Sequence, residues 1–278
     1  MRRFIFKSVL SSALIVAIFS NSALIAGDLG NLYLFWLIKP KYDDAGEFSE
    51  GLASVKYKGK WGFINKQDKM IIEPQFDCLS YDVLEFHEGL AAVKKNKKWG
   101  FIDKTGKVII EYQFDNCTGF SEGIAAVMTK GLFGSEKWGY INKQGEYLFK
   151  ERFQYARKFS EGLASVKTDG KFGYIDKNGG YVIAPQFQFA NEFYKGIALA
   201  KLGGTFINID KKGKTTSKFS RKDEFPGGMQ TNCRTGKCGY VNRRGDYMIN
   251  PQFESAYEFR EGAAKVQMKG KWGYLSLP

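Results

Sequence analysis

The chain has 278 residues, of which 42 are lysine or arginine and 29 are aspartate or glutamate, so its formal net charge is +13. Its single histidine and four cysteines disfavour a metal site, because such sites usually need several imidazole or thiolate ligands. The excess of positive charge bears on solubility and on the choice of partners, and it says nothing about the fold.

Residues 1–27 have the features of an export signal. Arg2, Arg3 and Lys7 precede twenty uncharged residues, 8–27, and the small residues around Ala26 allow cleavage. We expect a cleavable signal peptide; the alternative is an uncleaved membrane anchor formed by residues 8–27. In both cases residues 28–278 are expected to form one exported β domain, periplasmic or secreted, with membrane contact only through an uncleaved N-terminal segment.

The rest of the chain consists of a segment of about 34 residues that occurs seven times. Each copy carries a variant of Glu-Gly-Leu-Ala-Ser-Val, then of Lys-Trp-Gly-Phe-Ile, and usually Pro-Gln-Phe. The glycine of the first motif marks the copies, at Gly51, Gly89, Gly123, Gly162, Gly196, Gly228 and Gly262. A period of this size is typical of repeat architectures, in which each unit buries its apolar face against its neighbours.

Each repeat is predicted to form three strands. In the first copy we expect them at residues 52–56, 61–65 and 70–72, because short runs rich in Val, Ile, Phe and Tyr are separated by turn residues. An Asp-Lys-x-Gly or Asn-Lys-x-Gly turn, such as residues 103–106, joins the second strand to the third as a tight hairpin. No window after the N-terminal segment has a helical period, so we predict an all-β fold.

The two ends of the repetitive region are expected to meet. The last copy stops after its second strand, while residues 35–42 align with a third strand, residues 69–76 of the first copy. We therefore predict a propeller-like toroid of seven repeats whose last unit is completed by the N-terminal strand, since closure removes exposed sheet edges. The alternative is an open β-solenoid with the end segments acting as caps.

The motif Lys-Trp-Gly followed by Phe or Tyr occurs at residues 60–63, 98–101, 137–140 and 271–274. This pattern resembles the bacterial WG-repeat family, also described as KWG repeats. The resemblance covers residues 39–278, although Phe172, Phe206 and Cys238 stand at the tryptophan position in copies four to six. It implies a β-repeat scaffold that mediates interactions, and it brings no agreed catalytic residues.

Residues that recur in every copy are expected to serve the framework. The aromatic residues assigned this structural role are Trp61, Trp99, Trp138, Phe172 and Trp272. The glycine after each ring is expected to permit a close approach of the neighbouring backbone. A glutamate also precedes five of the seven landmark glycines, as Glu50, Glu88, Glu122, Glu161 and Glu261, whereas a reaction centre is needed once.

We therefore expect no catalytic residue, no metal and no cofactor. His87 lies in a loop inserted in the second copy and is expected to have no role. A glycan hydrolase that uses two carboxylates is the least favoured alternative.

The cysteines are expected to be meaningful in an oxidising compartment. Cys233 and Cys238 replace the lysine and the aromatic ring that face each other across the hairpin in other copies, as Lys56 and Trp61 do, so we expect them to form a disulfide. Cys78 and Cys117 occupy nearly matching positions in adjacent copies. They are either a second disulfide or two buried thiols.

Nine lysines at the hairpin tips are expected to form one basic rim if the repeats stack in register. They are Lys56, Lys58, Lys60, Lys94, Lys95, Lys97, Lys98, Lys269 and Lys271. The rim is either ordinary solubilising charge or a site for an anionic partner. Export disfavours nucleic acid, so the expected partner is an unknown protein or an anionic envelope polymer.

The favoured function is an exported, non-catalytic β-repeat scaffold for protein–protein or envelope interactions. The alternative is a protein that binds anionic glycan or wall polymer through the lysine rim.

Overall fold

The computed structural model describes residues 35–77, 85–131, 134–216, 230–234, 236–241, 245 and 247–276. The regular elements in these residues are β-strands, which pair antiparallel in seven small sheets, one for each repeat. The prediction of an all-β fold is confirmed. Within these ranges no helix has the length and apolar character needed to cross a membrane.

In repeats one to four, each sheet has four strands in chain order. These strands are β2 (Asp44–Ser49), β3 (Leu52–Tyr57), β4 (Lys60–Asn65) and β5 (Met70–Phe76); β6 (Phe86–His87), β7 (Leu90–Lys95), β8 (Lys98–Asp103) and β9 (Val108–Phe114); β10 (Asn116–Cys117), β11 (Ala125–Lys130), β12 (Glu136–Ile141) and β13 (Tyr147–Phe153); β14 (Tyr155–Ala156), β15 (Ala164–Thr168), β16 (Lys171–Ile175) and β17 (Tyr181–Phe187).

The described strands of repeats five and six form three-stranded sheets, and repeat seven takes its fourth strand from the N-terminal end. The strands are β18 (Phe189–Ala190), β19 (Ile197–Leu202) and β20 (Thr205–Asp210); β21 (Gln230–Arg234), β22 (Lys237–Val241) and β23 (Tyr247–Phe253); and β24 (Ser255–Arg260), β25 (Ala263–Met268) and β26 (Lys271–Ser276), with β1 (Phe35–Tyr42).

The three strands predicted for each repeat are present in repeats one to four and six, with β1 as the third strand of repeat seven, while the described residues of repeat five contain the first two. In every repeat but the sixth, the described residues also include a strand before them. In repeat one the predicted strands correspond to β3, β4 and β5, of which β5 continues four residues further than expected. In repeats two to five the added strand is two residues long, which is too short to carry a periodic pattern in the sequence. This short strand is the part of each sheet that supplies residues to the central cavity described below.

The glycine of the Trp-Gly pair is needed because the next strand passes very close to it. A Cβ atom at Gly62 would lie 2.5 Å from the carbonyl oxygen of Ile72, and one at Gly173 would lie 2.6 Å from that of Ile183. The register between β4 and β5 shifts at this point, as it does at a β-bulge. The predicted close backbone approach is confirmed.

The N-terminal strand completes repeat seven as predicted. β1 pairs antiparallel with β26, and a Cβ atom at Gly273 would lie 2.5 Å from the carbonyl oxygen of Ile38. Ile38 thus takes the place in repeat seven that Ile72 takes in repeat one. Ile38 and Tyr42 of β1 also share one buried cluster with Phe48 of repeat one and Tyr274 of repeat seven.

Hydrogen bonds between successive repeats recur between the last repeat and the first. The hydroxyl of Tyr140 donates to the carbonyl of Arg157 in the next repeat at 2.8 Å, and Tyr174 donates to Asn191 at 2.8 Å. The hydroxyl of Tyr274 in repeat seven donates to the carbonyl of Gly46 in repeat one at 2.7 Å. Repeat one therefore follows repeat seven in space as repeat five follows repeat four.

The glutamate that precedes the landmark glycine in five of the seven repeats forms a second inter-repeat contact. Its carboxylate accepts the landmark N–H of the next repeat in the pairs Glu50 with Gly89, Glu88 with Gly123, Glu122 with Gly162, Glu161 with Gly196, and Glu261 with Gly51. A lysine of the following hairpin turn pairs with the same carboxylate, as Lys177 does with Glu122 at 2.9 Å. The pair Glu261 and Gly51 again joins repeat seven to repeat one. These contacts favour the propeller-like ring over the open solenoid.

Ring closure predicts that two isoleucines far apart in the chain are energetically equivalent. Ile38 and Ile183 are both buried at the same position of a fourth strand. We expect Ile38→Ala and Ile183→Ala each to lower the free energy of unfolding by about 2–4 kcal/mol, because each leaves a cavity in a shared core. Urea denaturation of both variants measures this. If Ile38→Ala hardly changes the free energy of unfolding while Ile183→Ala lowers it strongly, β1 is not part of the ring.

The glutamate contact predicts acid sensitivity. Burial raises the pKa of Glu122, but the hydrogen bonds from Lys177 and from the N–H of Gly162 outweigh it, so the pKa lies below its ordinary value of 4.5. A carboxyl whose pKa is lowered by folding stabilises the fold above its unfolded pKa, and this stabilisation is lost as the pH falls through the folded pKa. We expect Glu122→Gln to cost about 1 kcal/mol at pH 7 and to flatten the loss of stability between pH 6 and pH 3. The measurement is urea denaturation across this pH range, with Glu73→Gln, at an exposed position of β5, as the control that keeps the wild-type slope.

Candidate functional site

The structure places the nine rim lysines at hairpin tips of repeats seven, one and two. These repeats are consecutive in the ring, so Lys269 and Lys271 lie in the repeat next to Lys56, Lys58 and Lys60 although they are far apart in the chain. The lysines therefore lie on one arc of the ring, and the other repeats contribute none of the nine.

Three of the rim lysines are neutralised by aspartates. Lys98 pairs with Asp115 at 2.7 Å and Lys271 with Asp43 at 2.6 Å, and Lys60 pairs with Asp77. Each aspartate lies where the chain enters the next repeat. The same position holds Gln154 and Gln188 in repeats four and five, where the amide oxygens accept the N–H of Gly170 and Gly204. The nine lysines that were predicted to form a basic rim thus lie in the repeats where these aspartates pair with lysines.

Strand lysines lie over the aromatic ring that faces them across the hairpin. The Nζ atoms of Lys94, Lys167 and Lys201 are 5.7, 5.7 and 5.3 Å from the ring centroids of Trp99, Phe172 and Phe206. The tryptophans themselves are mostly inside: Trp61, Trp99 and Trp138 are buried, and Trp272 is partly buried. Their indole side chains pack inside the toroid of repeats, which leaves little indole surface accessible to a ligand.

A row of five rings crosses repeats three to five. It consists of Trp138, Tyr155, Phe172, Phe189 and Phe206, whose successive centroids are 5.5, 6.0, 6.5 and 6.0 Å apart. We call this set the aromatic row. Trp138 and Phe172 are buried, whereas 39% of Tyr155 and 56% of Phe206 are exposed. The aromatic row therefore contains both buried rings and exposed rings that are accessible to a ligand.

A central cavity of about 930 Å³ is lined by residues of repeats one to five and seven. Its walls come mainly from the first strand of each contributing repeat and from the residues that follow this strand. The volume is in the range of small-molecule sites. An open chain of repeats would not bring Glu47, Glu192 and Arg260 to one cavity, so the cavity is a product of the ring.

The carboxylates of Glu47 and Glu85 converge on one arginine in this cavity. Arg260 lies 2.5 Å from Glu47 and 3.6 Å from Glu85. Burial raises the pKa of Glu47, while Arg260 lowers it and Glu85 raises it further. His87 lies 3.7 Å from Glu85 on β6, so its expected position in a loop was wrong. Burial lowers the pKa of His87, which favours the neutral imidazole.

Lys265 is a buried lysine on the wall of the cavity. It is only 6% exposed, its ammonium donates to the carbonyl of Ala45 at 3.1 Å, and it lies 3.9 Å from the ring centroid of Tyr257. Burial lowers its pKa, and the carboxylates of Glu47, Asp44 and Glu85 act in the opposite direction. Lys265 thus joins repeat seven to repeat one through a charged side chain.

The sixth hairpin carries the disulfide between Cys233 and Cys238, with an S–S distance of 2.06 Å. The two residues face each other on β21 and β22, at the positions that Lys56 and Trp61 occupy in repeat one. Cys117 is buried on β10 and contributes to the wall of the cavity. Cys78 lies outside the described residues, so its pairing with Cys117 stays a prediction.

Sequence reasoning missed Lys265 and Arg157 of the cavity because each departs from the repeat. Lys265 stands where the other copies have an uncharged residue, such as Ser54 or Ala92, and this exception was visible in the sequence. Arg157 stands where repeats one and three have Gly46 and Thr118. A residue that breaks a repeat is thus a better signal for a site than one that follows it.

The family model described as "WG containing repeat" matches residues 36–61, 61–99, 99–133, 138–172, 172–206 and 239–272. The chain belongs to the WG-repeat family. The matches to this WG-repeat protein leave out residues 207–238, which include the polar strand of repeat six. No curated protein sequence matches it significantly.

Among solved structures, this WG-repeat protein is similar to BamB from Moraxella catarrhalis, with 7% identity, 84% of this chain and 81% of that chain covered, and a TM-score of 0.44. It is similar to the Pan2 WD40 domain of Neurospora crassa, with 13% identity, 86% and 90% coverage and a TM-score of 0.44. It is also similar to the WD40 domain of Toxoplasma gondii coronin, with 12% identity, 91% and 88% coverage and a TM-score of 0.43.

Because the ammonium group of Lys265 is buried, we predict that the free energy of unfolding rises at alkaline pH. A lysine whose pKa is lowered by folding weakens the fold at neutral pH, and stability rises as the pH passes from the folded pKa toward the unfolded value of 10.5. We expect the wild type to gain stability relative to Lys265→Met between pH 7 and pH 10. Denaturation of both proteins at several pH values measures the difference, with the exposed Lys171→Met as a control that should show none. A constant difference for Lys265→Met would mean that the ammonium is well solvated.

Proposed function

We propose that this WG-repeat protein is an exported, non-catalytic scaffold that binds a macromolecular partner, either a protein or an envelope component. The observation that carries the proposal is the use of the repeated residues. The recurrent glutamates bind the next repeat, as Glu122 binds Gly162, and Trp61, Trp99 and Trp138 are buried. The side chains that recur between repeats therefore stabilise the framework. The exposed side chains that do not recur are the candidates for binding a partner.

Export is part of the proposal. Arg2, Arg3 and Lys7 followed by the uncharged residues 8–27 support a signal peptide, and the alternative is an anchor made by the same residues. The disulfide between Cys233 and Cys238 is compatible with an oxidising compartment such as the periplasm or the cell exterior. Nucleic acid would not be met by an exported protein.

A second candidate function is the binding of an anionic envelope polymer through the lysine rim. The net charge of +13 favours it. The pairing of Lys60, Lys98 and Lys271 with aspartates weakens it, because these ammonium groups already have counter-charges. Lys94 is directed over Trp99 rather than to a carboxylate.

A glycan hydrolase is the third and least favoured candidate. It would need two carboxylates with different protonation states, one of them held protonated by its surroundings. Glu47 and Glu85 in the central cavity are the pair to test. Both contact Arg260, and this shared ion pair argues for a structural role, while burial raises the pKa of Glu47.

The proposal predicts capture of a partner at the exposed end of the aromatic row. A photo-crosslinking amino acid at Phe206, in cells that naturally express the protein, is expected to yield one discrete adduct. The same group at Ile71, which is exposed on β5, serves as the matched control and is expected to yield none. Intact mass of the recovered protein is expected to show the loss of residues 1–27.

Two results would contradict the proposal. One is the absence of a specific adduct at every exposed position tested. The other is turnover of a glycan substrate by the purified protein that Glu47→Gln abolishes while the unfolding midpoint is unchanged.

A further inference from the structure

Arg157 is a cation held between rings of the aromatic row. Its guanidinium carbon lies 5.6 Å from the ring centroid of Tyr155 and 5.5 Å from that of Phe189. Glu192 approaches only to 4.0 Å, and the buried Nε atom has no hydrogen-bond partner within the described residues. The planar fork of an arginine suits a carboxylate or a phosphate. Arg157 therefore has hydrogen-bonding capacity that its protein neighbours do not saturate.

A cleft of about 410 Å³ lies beside this arginine, and it is lined by Gln154, Tyr155, Arg157, Lys167, Gly170 and Phe172. One exposed phenol ring and two cations thus line the same cleft. Tyr155 and Arg157 also line the central cavity, so the cleft and the cavity are adjacent. The volume is suited to a unit of small-molecule size.

The cleft is specific to repeat four. At the position of Arg157, repeats one, three and five have Gly46, Thr118 and Asn191. At the position of Tyr155, repeats one and three have Asp44 and Asn116. No other repeat has an arginine at the Arg157 position or a tyrosine at the Tyr155 position, where repeat five has Phe189, so the framework does not require this pair of residues.

The entries of repeats four and five lack the aspartate that pairs with one tip lysine in each of repeats seven, one and two. Gln154 replaces the aspartate that binds a tip lysine in repeats two and three, and Gln188 does so in the next repeat. Among the ion pairs of the described residues, neither Lys167 nor Lys201 has a carboxylate partner; both lie over phenylalanine rings. An anion in the cleft would thus meet cations without displacing a carboxylate from Lys167.

We propose that the Arg157 cleft binds an acidic polysaccharide. The carboxylate or phosphate of one sugar unit binds Arg157 and Lys167, and the C–H groups of its ring contact Tyr155. Further units follow the aromatic row toward Phe206, where Lys201 repeats the arrangement of Lys167. The inference rests on the proposed binding role and names the ligand class and the site.

The tilt of the rings favours a sugar polymer over single-stranded nucleic acid. Successive rings of the row meet at interplanar angles of 55°, 71°, 59° and 75°. Bases of a single strand stack on aromatic faces one after another, which these angles do not provide. A sugar unit needs only one exposed ring at a time.

The test is titration of the full domain, residues 28–278, with labelled polymers of matched length, followed by fluorescence anisotropy at two salt concentrations. The probes are polygalacturonate, which carries carboxylates on sugar rings, a phosphomannan, which carries phosphates on sugar rings, neutral dextran and oligothymidine. We expect an acidic polymer to bind and dextran not to bind. The acidic polymer that binds with the higher affinity shows whether the cleft prefers a carboxylate or a phosphate.

The variants locate the site. We expect Arg157→Gln to weaken binding by about ten- to a hundredfold, which corresponds to the loss of a charge-assisted contact. Tyr155→Ala is expected to weaken it at both salt concentrations, since the ring contact is not ionic, and Lys167→Gln mainly at low salt. Lys58→Gln and Lys94→Gln on the lysine rim are the matched controls and should stay within about twofold, as expected for screened, distant charges. Equal unfolding midpoints in urea show that each variant is folded.

Three outcomes would overturn the inference. The first is equal weakening by the rim variants, which would move the polymer site to the rim and leave the binding role intact. The second is oligothymidine binding that depends on Tyr155 and matches that of the acidic polymers. The third is no binding of any polymer, and the crosslinking at Phe206 then decides separately whether the protein binds a partner.

Discussion

Each repeat depends on the next because a small sheet cannot bury its apolar residues alone. Ile72 and Phe76 of repeat one lie in the same buried cluster as Phe86, Val93 and Trp99 of repeat two. Such sharing propagates around the ring, so the last repeat needs a neighbour as much as any other. β1 and repeat one supply it through the cluster that contains Ile38, Phe48 and Tyr274. The closed arrangement thus follows from the need to bury both faces of every sheet.

The same dependence separates framework residues from candidate functional ones. A side chain that binds the neighbouring repeat is needed at every interface, which explains why glutamate, glycine and tryptophan recur. Arg157, Tyr155 and Lys265 occur at positions where other repeats have different residues. The ring holds these exceptions at fixed places around one cavity.

The contacts between neighbouring repeats also determine which charged side chains are paired. The lysines of repeats seven, one and two are the most numerous at the tips, but aspartates at the entry of the following repeats bind three of them. In repeats four and five glutamine takes the place of the aspartate, and Lys167 and Lys201 lie over rings. Repeats four and five thus lack the aspartate pairing that each of repeats seven, one and two has at its hairpin tip.

The repeat, its three main strands, the close approach at each Trp-Gly pair and the role of β1 are predictable from the residues alone, because these features depend on local patterns and on the alignment of one copy with another. The cysteine pair is predictable for the same reason, since Cys233 and Cys238 replace two residues that face each other in every other hairpin. The folded ring is needed to see which lysines are neutralised, that Lys265 is buried against Tyr257, and that Arg157 lies between Tyr155 and Phe189. These facts depend on distances between different repeats, and the curvature of the ring, which no single repeat encodes, sets those distances.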